Sequence, residues 1–259
     1  MIRNLITSLF ESVRFQQALG AVIFIGLWTM FGLWARLTQQ GILQDFAIAP
    51  TLDAFGRLLS NGTLFEAIGS SMWRVFWGIF YAIVVGVPIG ILIGLNSLVR
   101  AITLIPIQFL RMTSPLSLMP IVVILIPTWN AGIIFLLAFA SVWSVMLSTS
   151  TAIGRIDFGW LKIADNYQIS FLQKIRFVIL PAIIPDILTG VRLSVGICWV
   201  VLVPAEFLGV TSGLGYAIND ARDTLDYSAM TAIVLVIGAI GYCIDSLLRI
   251  TIKNYEWIR

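Results

Sequence analysis

Residues 75–95 read Val-Phe-Trp-Gly-Ile-Phe-Tyr-Ala-Ile-Val-Val-Gly-Val-Pro-Ile-Gly-Ile-Leu-Ile-Gly-Leu. No charge interrupts them. As a helix at 1.5 Å per residue the run is about 31 Å long, against roughly 30 Å of bilayer hydrocarbon. It therefore reads as a membrane span. Gly86, Gly90 and Gly94 recur every fourth residue, which leaves one face bare and lets a neighbouring helix approach closely.

The rest of the chain fits that reading. Of its 259 residues 59% are hydrophobic and 11% are charged, with a mean hydropathy of +0.98; soluble domains hold roughly 25% charged residues. Backbone amides inside a bilayer must be satisfied within the segment, so the expected fold class is an all-α polytopic membrane protein. Spans are expected near 18–36, 72–95, 113–129, 131–150, 187–207 and 229–248. The third is irregular: Pro106, Pro115, Pro120 and Pro127 punctuate its apolar run, and each removes a hydrogen bond and crowds the preceding turn. Broken helices at membrane depth face protein or a water-filled cavity, so this stretch either lines a pathway or is a re-entrant lead-in.

Residues 1–17 place Ile2, Leu5, Ile6, Leu9 and Val13 at helical spacing and read as an amphipathic interfacial helix. Residues 18–259 then form one membrane domain. Between spans one and two, Pro50-Thr51 reads as the cap of a short helix, Asn61-Gly62 as a turn, and Thr63 as the start of a second short helix.

With the N-terminus inside, eleven of the sixteen Lys and Arg residues lie inside. Arg36, Arg57, Arg74 and Arg222 lie outside, and Arg192 starts the fifth span. The positive-inside rule therefore places both termini in the cytoplasm. Topology accounts for the net charge of +3, and no nucleic-acid partner is implied. Histidine is absent, which excludes His-based metal sites and proton relays. Cys198 and Cys243 lie in apolar runs and read as small packing residues.

One charged interruption, residues 155–186, separates the fourth and fifth spans and reads as two short helices. Ile163, Tyr167, Phe171, Ile175 and Val178 fall at spacings of 3 to 4 and suggest one apolar face. Such a face either rests on its own bundle or fills a partner's groove.

This stretch resembles the coupling loop of binding-protein-dependent ABC importer permeases of the MetI-like type. Their signature is Glu-Ala-Ala, three residues, Gly, nine residues, Ile, one residue, Leu-Pro. Aligned on Leu180-Pro181, Val178 takes the Ile position, Gln168 the Gly position, and Lys162-Ile163-Ala164 the Glu-Ala-Ala positions. Ala164, Leu180 and Pro181 match outright, while the Glu and the Gly are missing. Elsewhere Ser71-Met-Trp-Arg74-Val-Phe-Trp-Gly78, Thr189-Gly-Val-Arg-Leu193, Pro204-Ala-Glu206-Phe-Leu-Gly209 and Gly213-Leu-Gly215-Tyr216 resemble, in order and spacing, the nitrate/sulfonate/taurine/bicarbonate group.

The resemblance implies a permease with six spans and a cytoplasmic coupling helix, moving a small anion such as a sulfonate, taurine, nitrate or bicarbonate. It implies that Lys162, Ala164, Asp165, Tyr167, Gln168, Phe171, Leu180 and Pro181 engage a separate cytoplasmic ATPase subunit, which binds ATP and Mg. A second permease copy, as a homodimer rather than a heterodimer, and a periplasmic or lipid-anchored binding protein complete the expected assembly. The chain itself carries no Gly-x-x-x-x-Gly-Lys-Ser/Thr phosphate loop, so it is expected to bind no cofactor and not to be an enzyme.

Arg111, Trp129, Asn130, Trp143, Trp199 and Glu206 are the candidates for the substrate pathway, because polar and ionisable groups near spans are expensive to place. Arg111 either attracts an anion or snorkels to the inner surface. Glu206 serves as a gate charge, a docking charge or a cap partner. Trp129 also reads, and by preference, as an interfacial belt residue, and Trp143 and Trp199 as bundle packing. Asp245 and Arg249, four apart, are expected to pair. The runner-up is a stand-alone secondary transporter, for which inverted repeats and deep charges are expected and not found.

Overall fold

The computed structural model describes residues 13–38 and 41–256. All regular structure among them is helical. The elements are α1 (Val13–Leu37), α2 (Gly41–Gln44), α3 (Ile48–Ser60), α4 (Thr63–Leu95), α5 (Ser97–Met112), α6 (Met119–Leu125), α7 (Trp129–Ile153), α8 (Phe158–Asn166), α9 (Phe171–Lys174), α10 (Leu180–Gly209), α11 (Leu214–Asp223) and α12 (Tyr227–Glu256). The expected amphipathic helix over 1–17 falls largely outside the described residues, although α1 already runs through residues 13–17.

Among the described residues five helices are long and apolar enough to cross a membrane, and a bent pair, a broken span or a re-entrant loop, makes six if it counts as one span. That pair is α5 with the turn Pro115–Leu118 and α6, broken by 86°. The third span is therefore not one helix. α6 has 7 residues, about 10 Å, which is too short to cross alone. Thr113 and Ser114 turn extended, as residues before prolines do, and Pro115 and Pro120 each start the next helical piece.

The described residues pack as two compact units, one from those up to 64 with 218–235, the other from 65–217 with 236–256. In the first, the Trp28 indole donates to the Phe46 carbonyl at 2.8 Å, Phe46 stacks on Tyr227 at 5.6 Å, and Arg57 pairs with Asp226 at 3.1 Å. Burial pushes the Asp226 carboxyl up, but hydrogen bonds from Ser228 and the Ala229 amide, with the charge of Arg57, outweigh it and leave the group below its ordinary range. Two details differ from expectation. Thr51 does not cap α3, which begins at Ile48; its hydroxyl donates back to the Ala47 carbonyl at 2.8 Å from within the helix. Thr63 does not start a short helix. With no break after it, α4 continues for 33 residues, and the expected span 72–95 is its second part. The Asn61-Gly62 turn is present, with Gly62 at φ +73°, a backbone region that glycine enters freely.

In the second unit α7 is the most enclosed span. α4 lies along it through the glycine face. A Cβ on Gly78 falls 2.7 Å from Leu137 Cβ, one on Gly86 3.1 Å from Val145 Cβ, one on Gly90 2.6 Å from the Met146 carbonyl, and one on Gly94 2.7 Å from an Ile153 methyl. α10 crosses the other side of α7 through small residues. Ser194 donates to the Ser141 carbonyl at 2.8 Å and Ser141 to the Ser194 carbonyl at 3.3 Å, and Gly190 sits against Ser148. Cys198 is buried here, whereas Cys243 lies exposed on α12. Gly90→Val is expected to destabilise by about 1–3 kcal/mol, since overpacking against backbone has no flexible neighbour to yield. Thermal unfolding in detergent measures it, with Gly238→Ala, which meets nothing within 4 Å, as the control.

Candidate functional site

The interruption between α7 and α10 is built as a folded element. Asp157 caps α8 by accepting from the Gly159 amide at 2.8 Å. α8 ends at Asn166, and Gln168 turns the chain in the left-handed region at φ +51°. Ser170 and Gln173 then form a reciprocal capping box that starts α9. Lys174 reaches back to Asp165 at 2.7 Å and ties α9 to α8. The turn Ile175–Ile179 is π-helical and leads into Leu180-Pro181 at the start of α10. Pro181 lacks an amide and crowds the carbonyl one turn before it; a wider turn relieves both.

The left-handed break explains a departure from the sequence reading. Ile163, Tyr167 and Phe171 do not form a packed face with Ile175 and Val178, because Gln168 and the capping box reset the helical register. Ile163, Tyr167 and Phe171 are exposed; Tyr167 is 79% and Leu172 77% exposed. The buried side is one residue over. Ala164 is buried, and Leu161, Ile156 and Ile175 pack with Ile179 and Ile183 against Ile91, Ala152 and Ile153. Thus one side of the loop is fixed to the bundle, and Trp160, Tyr167, Phe171, Leu172 and Phe177 stand outward. Gln168 occupies a left-handed position that costs a non-glycine L-residue roughly 1–2 kcal/mol. Gln168→Gly is expected to stabilise the loop by about 1 kcal/mol, read as a rise in proteolytic protection between Asp165 and Ser170.

At the Trp129 end of α7 lies a second polar constellation. Arg74 and Glu206 are 2% and 0% exposed and form an ion pair at 2.5 Å. Arg74 also donates through Nε to Asn130 at 2.9 Å, and to the carbonyl and hydroxyl of Ser212 at 2.9 and 2.8 Å. Glu206 accepts from the Ser71 hydroxyl at 2.8 Å and the Gly215 amide at 3.0 Å, and Ser71 Oγ accepts from the Leu214 amide at 2.8 Å. No buried side-chain polar atom among the described residues lacks a partner. Gly213, at φ +107°, and Gly215 both abut Glu206 so closely that a Cβ would strike it. Ser71-x-x-Arg74 and Glu206…Gly213-Leu-Gly215 are thereby one clamp, joining α4, α7, α10 and the start of α11.

The pathway candidates do not converge. Asn130 and Glu206 belong to this clamp, with Glu206 enclosed rather than placed at an open gate. Trp129, half-exposed, covers Gly209. Trp143 meets Phe139 edge-on at 5.4 Å. Trp199 packs on Gly241 of α12. Arg111 lies apart from all of them, exposed at the end of α5 beside Ser144, Ser148, Thr151 and Arg155. Asp245 pairs with Arg249 at 3.0 Å as expected, and also with Arg192 across to α10 at 2.7 Å. Arg74 and Arg192 are the two functional-looking charges that local spacing does not reveal.

Residues 86–256, about two thirds of the chain, match the family described as binding-protein-dependent transport system inner membrane component. This chain belongs to that family. The permease is similar to the putative aliphatic sulfonates transport permease protein SsuC of Escherichia coli (strain K12), 33% identical over 192 residues that cover 74% of this chain and 73% of that protein. It is also similar to the bicarbonate transport system permease protein CmpB of Synechococcus elongatus, 30% identical with 87% and 84% covered, and to the nitrate import permease protein NrtB of the same organism, 29% identical with 54% and 52% covered. Among solved structures, the MetNI methionine ABC transporter in inward-facing conformations has a chain of the same fold, with a TM-score of 0.64 at 17% identity, covering 74% of this chain and 96% of that one. The permease is thus a multi-pass inner-membrane component of an importer rather than a carrier that works alone.

Proposed function

We propose that the permease works in an ATP-driven importer of a small anion, of the sulfonate, nitrate or bicarbonate kind. Its coupling loop seats in a cleft of a separate cytoplasmic ATPase subunit, which binds ATP and Mg and performs the hydrolysis. Lys162, Asp165, Tyr167, Gln168, Phe171 and the Leu180-Pro181 joint are the contact and lever residues. Two copies of the permease enclose one pathway, and a periplasmic or lipid-anchored binding protein delivers the substrate to the outer face. Both termini and the coupling loop lie in the cytoplasm, a topology supported by the Lys and Arg distribution.

One observation carries this reading: the loop is two-faced. Its inner side is locked to the bundle, while its outer side presents aromatic and aliphatic residues that no other described residue covers. A lever needs both properties, since motion of a partner reaches the spans only through a rigid contact. The anion assignment is supported by the sulfonate, bicarbonate and nitrate relatives. The test is affinity purification of the tagged permease in mild detergent. A stoichiometric ATPase subunit is expected to co-elute, and to be lost when residues 162–176 are replaced by a Gly/Ser linker. A permease that elutes without an ATPase at every nucleotide condition contradicts the reading.

A further inference from the structure

Arg111 stands between two hollows of unlike chemistry. On one side is a hollow of 340 Å3 lined by Ser144, Ser148, Thr151, Arg155, Asp186 and Thr189. On the other is one of 550 Å3, mostly apolar in surface through Ile93, Leu104, Ile107, Met112 and Leu147, with Arg100, Thr103 and Gln108 at its wall. Leu147, Thr151, Arg155 and Arg111 belong to both. The neighbouring cations are already engaged. Arg100 donates to the Ile93 and Gly94 carbonyls at the end of α4, at 3.3 and 2.8 Å, and Arg155 lies 3.8 Å from Asp186. Arg111 makes no ion pair or hydrogen bond to any described residue, and neither hydroxyl of Ser144 and Ser148 does. Thr151 and Thr189 bond back to their own helices at 2.8 and 2.9 Å. Ser144 and Ser148 lie about 14 and 8 Å from the Ile153 end of α7, within the span.

We infer that this chain holds its own substrate site, and that the site takes a monovalent oxyanion bearing a short alkyl tail, of the alkanesulfonate class. The inference rests on the anion-importer reading and narrows it. The Arg111 guanidinium is a planar fork matched to two oxygens of a sulfonate. The Ser144 and Ser148 hydroxyls supply further donors. Of the three guanidiniums around the two hollows, Arg155 is offset by Asp186 and Arg100 is taken up by the carbonyl end of α4, so Arg111 alone is left to meet a ligand, which a monoanion matches. The apolar hollow beyond Arg111 buries a methylene tail, each CH2 contributing to retention, and nitrate or bicarbonate has nothing to place there. Asp186 lies in the second turn of α10, close after the coupling loop, so the carboxylate competing for Arg155 sits on the element that the loop would move.

Calorimetric titration of the permease–ATPase complex in nanodiscs, without binding protein, tests the site. The probes are hexanesulfonate, nitrate and sulfate. Hexanesulfonate is expected to bind, nitrate about tenfold or more weakly, and sulfate not at all. Arg111→Gln is expected to weaken hexanesulfonate at least tenfold, Arg111→Lys less, and the pair Ser144→Ala with Ser148→Ala about three- to tenfold. Co-purification of the ATPase with each variant verifies folding, and Arg111→Lys tests the fork should Arg111→Gln fail to assemble. Binding that is absent in the wild type, equal for nitrate and hexanesulfonate, or unchanged in both Arg111 variants overturns the site. Uptake into proteoliposomes by the full system with its binding protein separates the two levels. Uptake of an oxyanion with no effect of Arg111 rejects this site and leaves the anion importer standing, whereas uptake of only a neutral or cationic solute rejects both.

Discussion

Glu206→Gln is expected to destabilise the permease by about 3–5 kcal/mol, because it leaves the Arg74 guanidinium buried without its counter-charge. The side chains are nearly isosteric, so the loss is electrostatic and not a cavity effect. Arg74 then keeps only neutral partners, Asn130 and Ser212, and the Gly213–Gly215 segment loses its anchor on the carboxylate. Arg74→Met is expected to cost a similar amount, for the mirror reason. The double variant Arg74→Met with Glu206→Leu is expected to recover most of the loss, since two apolar groups leave no charge unpaired. Thermal unfolding of the detergent-purified chain, followed by tryptophan fluorescence, reports all three. Single variants that melt with the wild type would show that the pair contributes little.

Phe171→Glu combined with Leu172→Glu is expected to reduce transport about a hundredfold or more while insertion and melting stay at wild-type values. Both side chains are exposed, so a charge there meets water and costs the fold little. If the loop seats in an ATPase cleft as proposed, the same charges enter an apolar contact without a counter-ion. Hot spots of this kind are worth roughly 2–4 kcal/mol each. Substrate-stimulated ATP hydrolysis by the reconstituted complex is the readout, and unchanged stimulation would exclude these residues from the coupling contact. Substitution at Ile179 or Leu161 behaves differently, because these residues pack inward and their loss lowers the melting temperature first.

Hydropathy and charge carried much of the architecture, for physical reasons. A bilayer requires long uncharged helices, so the spans around 75–95, 131–150, 187–207 and 229–248 show up as runs, and the prolines from 106 to 127 mark the broken one. The glycine face of α4 was legible because spacing by four is a local property, and the structure supplies its partner in α7. Contacts between distant residues were not legible. Arg74 and Glu206 lie 132 positions apart, and each alone looks like a charge at the mouth of a span. A usable signal was nonetheless present: isolated charges of opposite sign, each embedded in a small-residue motif at the end of an apolar run. Arg192 and Asp245 are a second such case, hidden by the nearer Arg249. The apolar face of the coupling loop failed because periodicity assumes one continuous helix, and a single left-handed residue at 168 resets the phase.

The π-helical turn at Ile175–Ile179 sets an angle as well as relieving crowding at Pro181. One residue of an α-helix subtends 100° of rotation about its axis. Removing a single residue from this turn, and so restoring ordinary winding, would rotate everything before it by about that angle relative to α10. Phe171 and Leu172 would then aim a quarter-turn away, with every contacting side chain still present. The turn thus works as an indexing device that fixes the compass bearing of the loop's exposed side against α10.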